Sequence, residues 1–142
     1  VMLVDDSYNA NPLSATRMVD ACRTMADESG LPLILVMGEM LELGDRAEQA
    51  HVELGRTMAE ASPALVFWKG GQAGAVQRGL RDAGYDREFY PVGGGQDFSL
   101  LLEELEPRNG LFLFKGSRRN NLERLVDILR ERVAPTGETH AL

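Results

Sequence analysis

The sequence predicts a three-layer α/β domain, a mainly parallel sheet covered by helices on both faces. Three observations predict it. Apolar, β-branched runs alternate with helical patterns five times. One of the runs, Leu33–Met37, reads as a buried strand. Turn residues punctuate the passage from each strand to its helix.

Val1–Val4 is the first strand candidate, and a helix follows from about Pro12 to Glu28. Proline suits a first helical turn, where its missing N–H is no loss. Ala15, Val19, Cys22 and Ala26 then share one face at helical spacing, and Gly30 ends the helix. Leu33–Met37 reads as a buried strand, and "GEMLELG", 38–44, as a glycine-bracketed connection. Asp45 is the expected N-cap of the next helix, with Glu48 in the capping-box position and Ala47, His51, Leu54 and Met58 on the buried side. Leu65–Trp68 is the third strand, "KGG" a turn, and Ala73–Ala83 the third helix. Glu88–Val92 is a weaker strand, and "GGGQD" leads into a fourth helix around Phe98–Leu105. Leu111–Phe114 is the last strand. Ser117 is expected to cap a final helix whose apolar side is Leu122, Leu125, Val126, Leu129 and Val133.

With 142 residues the chain suits one well-buried domain, expected over 1–134, with a disordered tail over 135–142. A net charge of −7 argues against a nucleic-acid face, which needs clustered Lys and Arg. It leaves a nucleotide ligand open, since a few N–H groups and one local cation hold phosphates. Cys22 is the only cysteine, so no internal disulfide is possible and a reducing cytoplasm is expected. No apolar run approaches a membrane span. The chain opens directly on a strand, "VMLVDD", as a domain cut from a longer protein would.

In parallel sheets ligands bind beyond the carboxyl ends of the strands. Those ends are Asp5–Asp6, Gly38–Glu39, Lys69–Gly70, Gly93–Gly95 and Lys115–Gly116–Ser117. The opening "LVDDS" resembles a response-regulator receiver, whose acidic pair helps hold magnesium. A receiver also needs an aspartate ending its third strand, where this chain has Trp68–Lys69–Gly70. The full stretch "DDSYNANP", 5–12, matches something else. With "GEMLELG", "AEQAHVELG" (47–55) and "KGSRRNNLE" (115–123) in the same order, it resembles the C-terminal domain of the Mur ligases, in the branch that adds D-alanyl-D-alanine. The diaminopimelate- or lysine-adding ligases and folylpolyglutamate synthetase read more like "DYAHTP" or "DGAHNP" there. A non-catalytic nucleotide-binding module is the remaining alternative.

The resemblance implies a Rossmann-like sheet in the order first, fifth, second, third, fourth strand. It also implies an antiparallel edge strand upstream, whose loss leaves the first strand as an open edge where copies can pair. The implied enzyme is an ATP-dependent amide ligase of peptidoglycan precursor synthesis. It phosphorylates the carboxylate of a UDP-N-acetylmuramoyl-tripeptide, and the amine of D-alanyl-D-alanine then displaces phosphate. The phosphate loop and the Mg2+ ligands belong, by resemblance, to a central domain. Neither lysine of this chain, Lys69 or Lys115, lies in a G-x-x-x-x-G-K-[ST] loop. The domain alone should therefore catalyse nothing. It acts as a lid that closes on ATP, presents the dipeptide and works against the N-terminal and central domains.

Residue by residue, the resemblance gives Asp6 the ribose hydroxyls of ATP, with Tyr8 and Asn9 beside the nucleotide. Asp5 supports the turn. Asn11 faces the dipeptide or caps the Pro12 helix. Lys115 attracts the dipeptide carboxylate, while Ser117 offers N–H groups to an anion or is a plain N-cap. Arg118 serves the same anion or is a solvated first-turn residue. Glu123 stabilises its own helix end or pairs with an arginine. His51, on an apolar stripe without metal-spaced partners, is expected to be packed and hydrogen-bonded. Two departures from the family stand out: Glu39 where Asp is more frequent, and Asn120–Asn121–Leu122 in place of small residues and methionine.

Overall fold

The computed structural model describes residues 1–107 and 109–133. The tail expected over 135–142, and the last residue of the expected domain, lie outside the described residues. Five parallel strands, β1 (Met2–Asp6), β2 (Leu33–Gly38), β3 (Leu65–Lys69), β4 (Phe89–Val92) and β5 (Leu111–Lys115), form one sheet. Their order is β1-β5-β2-β3-β4, as expected. Five helices cover it: α1 (Pro12–Ser29), α2 (Ala47–Glu60), α3 (Ala73–Asp82), α4 (Gly95–Leu105) and α5 (Leu122–Val133).

Strand periodicity divides the core in two, because successive side chains point to opposite faces. On one face Val4, Leu35, Met37, Val66, Trp68 and Leu113 meet Ala15, Val19 and Cys22 of α1, Met58 of α2 and Leu80 of α3. On the other, Leu3, Ile34, Val36, Phe67, Phe112 and Phe114 meet Phe98 of α4 and Leu122, Leu125 and Leu129 of α5. Every residue of β2 is buried, which is why it reads as an unbroken apolar run. The sheet's two edges differ. Among the described residues β1 pairs with β5 alone. The opposite edge, β4, is four residues long and contains Pro91, which has no N–H to donate.

Local signals held at α1 and failed at two other helix starts. Asn11 caps α1: its Oδ1 accepts the Ser14 N–H at 2.9 Å, while Ser14 Oγ accepts the Asn11 N–H at 3.2 Å. Asp45, by contrast, does not cap α2. Gly44, at φ 59°, starts a 3-10 turn over Gly44–Arg46, so α2 begins one residue later than expected, at Ala47, with Arg46 as an N-cap that makes no side-chain bond. Glu48 then points to α3 and meets Arg78 at 2.5 Å. Nor does Ser117 cap α5. It caps a 3-10 turn, Arg118–Asn120, and the left-handed Asn121 (φ 53°) separates that turn from α5.

Cys22 is fully buried, as expected of a small apolar residue in α1. Burial, with a smaller contribution from the Asp6 carboxylate, pushes its thiol from 9.0 up to about 12. The native thiol is therefore expected to be inert to a thiol reagent at pH 8 and to react with one equivalent once unfolded. Between pH 9 and 12 the unfolded chain sheds a proton that the folded chain keeps. The stability contributed by the neutral thiol is thus whole below pH 9 and is lost as the pH rises toward 12. Urea titrations at pH 8 and pH 11 check this; equal midpoints would contradict it.

Candidate functional site

The carboxyl ends of β1 and β5 are adjacent, and their register sets Asp6 directly opposite Lys115. The two side chains form an ion pair, Lys115 Nζ to Asp6 Oδ2, at 2.7 Å. Lys115 is 3% exposed and Asp6 26%, so the ammonium is enclosed and the carboxylate faces the rim. Asp5 does support the turn: its Oδ1 accepts from the Ser7 N–H at 3.2 Å and the Ser7 hydroxyl at 2.6 Å. That turn leads out to Tyr8, 66% exposed, and to the exposed Asn9. The Arg118 guanidinium lies over the Tyr8 ring, 4.8 Å from its centroid.

Residues expected at a nucleotide and residues expected at a dipeptide are therefore paired, Asp6 with Lys115 and Tyr8 with Arg118. Asn11 is occupied as the α1 cap. The backbone N–H of Ser117 is already taken by Asn120 Oδ1 at 2.7 Å, and its hydroxyl by the same oxygen at 3.0 Å. Glu123 lies in the first turn of α5, where a carboxylate complements the helix dipole. Charges of both signs meet at this rim, Asp5, Asp6 and Glu39 with Lys69, Lys115 and Arg118.

Glu39 and Asn120 hold the neighbouring strand ends. Glu39 Oε1 accepts the Gly71 N–H at 2.8 Å, and the Trp68 indole N–H donates to the Gly71 carbonyl at 2.9 Å. Lys69 Nζ donates to the backbone carbonyl of Asn120. The expected site residues did not include Asn120. Its signal in the sequence was the departure at that position, an amide where small residues are frequent. "VGGGQD" is a capped turn in which the Gly93 N–H donates to Asp97 Oδ2 at 2.8 Å.

His51 is packed as expected. Fully buried, it accepts the Met40 N–H on Nε2 at 3.0 Å, which assigns the ring proton to Nδ1, 2.6 Å from the Ala47 carbonyl. Its ring stands edge-on to Trp68 at 5.7 Å. The imidazole thus ties the 38–44 connection to α2. His51→Leu leaves the buried Met40 N–H without an acceptor and is expected to cost about 2 kcal/mol. Urea unfolding measures it; a loss within about 0.5 kcal/mol, the range of ordinary surface substitutions, would remove that role.

Among the described residues there is no metal-holding group of three His, Cys, Asp or Glu side chains, and no helix long and apolar enough to cross a membrane.

The family model for the Mur ligase glutamate ligase domain matches residues 1–118. The UDP-N-acetylmuramoyl-tripeptide–D-alanyl-D-alanine ligase of Bacillus subtilis is 31% identical over 91% of this chain and 28% of its own. The Escherichia coli enzyme of the same name is 33% identical over 92% of this chain and 27% of its own. A crystal structure of MurF from Acinetobacter baumannii superposes with a TM-score of 0.70 at 28% identity, covering 90% of this chain and 28% of that one. The chain therefore spans little more than a quarter of the length of these relatives.

Proposed function

Because the chain belongs to the Mur ligase family, as its glutamate ligase domain, we propose that it serves as the nucleotide- and dipeptide-binding lid, expected over 1–134, of a cytoplasmic, ATP-dependent ligase. That enzyme joins D-alanyl-D-alanine to a UDP-N-acetylmuramoyl-tripeptide. A carboxylate is a poor acyl donor. In the proposed reaction its oxygen attacks the γ-phosphorus of ATP and ADP leaves. The dipeptide amine then attacks the acyl carbon, phosphate departs, and the amine proton goes to solvent or a base. Such a reaction depends on alignment and on stabilising spreading negative charge.

The observation that carries the reading is that Asp6, Tyr8, Asn9, Lys115, Ser117 and Arg118 share one rim at the β1 and β5 ends, joined by the Asp6–Lys115 and Tyr8–Arg118 contacts. Asp6, partly exposed, is suited to accept from two ribose hydroxyls. Tyr8 offers a ring face and Asn9 an amide to the nucleotide. Lys115 and Arg118 supply positive charge for the dipeptide carboxylate, with Ser117 shaping their turn and Asn11 fixing where α1 begins. Mg2+ would come with the nucleotide and be held mainly by other parts of the enzyme.

Backbone NMR shift mapping, with Mg-ATP and D-alanyl-D-alanine added separately, tests this. The expected result is nucleotide shifts at Asp6–Asn9 and dipeptide shifts at Lys115–Arg118. Shifts confined to other surfaces, or silence in both this chain and the full-length enzyme, would overturn it.

A further inference from the structure

We propose that Asn120 is a positioning residue: seated on the strand-end glycines, it fixes the Ser117–Arg118 turn and thereby places the Arg118 guanidinium on Tyr8. Asn120 is only 6% exposed. Its carboxamide fills space that three glycines leave open. A Cβ on Gly38 would stand 2.5 Å from Asn120 Oδ1, one on Gly116 2.8 Å from the same atom, and one on Gly70 3.3 Å from Nδ2. These glycines end β2, follow β3 and follow β5, so one side chain registers three strand ends at once. Its Oδ1 takes both the N–H and the hydroxyl of Ser117, its own N–H donates to the Ser117 carbonyl at 3.0 Å, and its backbone carbonyl takes the Lys69 ammonium.

A turn bound at that many points has little freedom left, and Arg118 is its first residue. The amide thus transmits the geometry of the β2 and β3 ends to the residue that covers Tyr8. The consequence for ligands rests on the lid reading above; the positioning itself does not.

The test reads the ring-current shift that Tyr8 imposes on the Arg118 side-chain resonances of the unliganded chain. Asn120→Ala removes the acceptor, and Asn120→Asp keeps an oxygen in its place. Gly38→Ala acts from the β2 end, because its new methyl would stand 2.5 Å from Oδ1, 2.6 Å from Cγ and 3.0 Å from Cβ of Asn120 and so displace the whole side chain. We expect Asn120→Ala and Gly38→Ala each to reduce the Arg118 shift by more than about half, and Asn120→Asp to preserve it. Core amide signals of β2 and β5 should stay in place in all three. An undiminished shift in folded Asn120→Ala, or in Gly38→Ala should the former not fold, would overturn the proposal. So would an equal loss in Asn120→Asp. Mg-ATP added to the wild-type chain and the full-length enzyme keeps the two ideas apart: silence in both counts against the lid reading, while the unliganded shifts still decide the role of Asn120.

Discussion

Asp6→Asn is expected to destabilise the chain by about 3 kcal/mol, roughly 10 °C in melting temperature. Lys115 is enclosed at 3% exposure, and the substitution leaves its ammonium without a counter-charge. Removing one partner of a buried pair costs about 3–5 kcal/mol, and the partial exposure of Asp6 puts this pair at the low end. The reverse change should be milder. Lys115→Met fills the same space with an apolar side chain and leaves a carboxylate that water can reach, so about 1 kcal/mol is expected. Joining the two changes should recover most of the Asp6→Asn loss, because no buried charge then remains. Urea unfolding of the four proteins completes the cycle. Strictly additive losses would mean that the ion pair does not couple the two strand ends.

A comparable loss is expected where α2 crosses α3. A Cβ on Gly79 would fall within 3.0 Å of the Val52 carbonyl, and one on Gly55 within 3.0 Å of the Val76 carbonyl. Both obstacles are backbone atoms, so no rotamer change relieves them and the helices must part. Alanine gains about 1 kcal/mol of helix propensity over glycine, but overpacking a fitted interface costs about 1–3 kcal/mol or more. Contacts this close put the packing cost at or above the upper end, so Gly79→Ala should lose about 2 kcal/mol or more net. Gly74 is the control. It lies in α3 with nothing within 4 Å of its would-be Cβ, so Gly74→Ala should gain about 0.5 kcal/mol. Thermal unfolding ranks the three, and a Gly79→Ala protein as stable as wild type would show that the crossing has slack.

Periodicity made the architecture legible. A sheet buried on both faces leaves continuous apolar runs, and helices with one dry side leave a repeat of 3.6, both visible without any fold in hand. The helix starts were less legible, because a 3-10 turn satisfies the same capping residues as an α-helix. Asp45 and Ser117 are both expected as caps of the long helix that follows, whereas Asp45 lies within a 3-10 turn and Ser117 caps one. The rim was legible as a list of strand-end residues and not as a set of partners. Pairings such as Asp6 with Lys115, Glu39 with Gly71 and Lys69 with Asn120 join positions 32 to 109 residues apart, fixed by strand register rather than by anything local. Lys115 shows the difference: its residue type suggests a counter-ion, and only the strand register shows that Asp6 shares it.

The unequal edges of the sheet carry a consequence for symmetry. Assembly by strand addition becomes an open filament only when a molecule offers two compatible sides, one to receive and one to pass on. Here the described β1 edge has unpaired N–H and C=O groups, whereas short, proline-bearing β4 is a poor template. Two copies joined along the described β1 edge would be related by a twofold axis, with only β4 edges left facing outward among the described residues. Such association closes on itself at two.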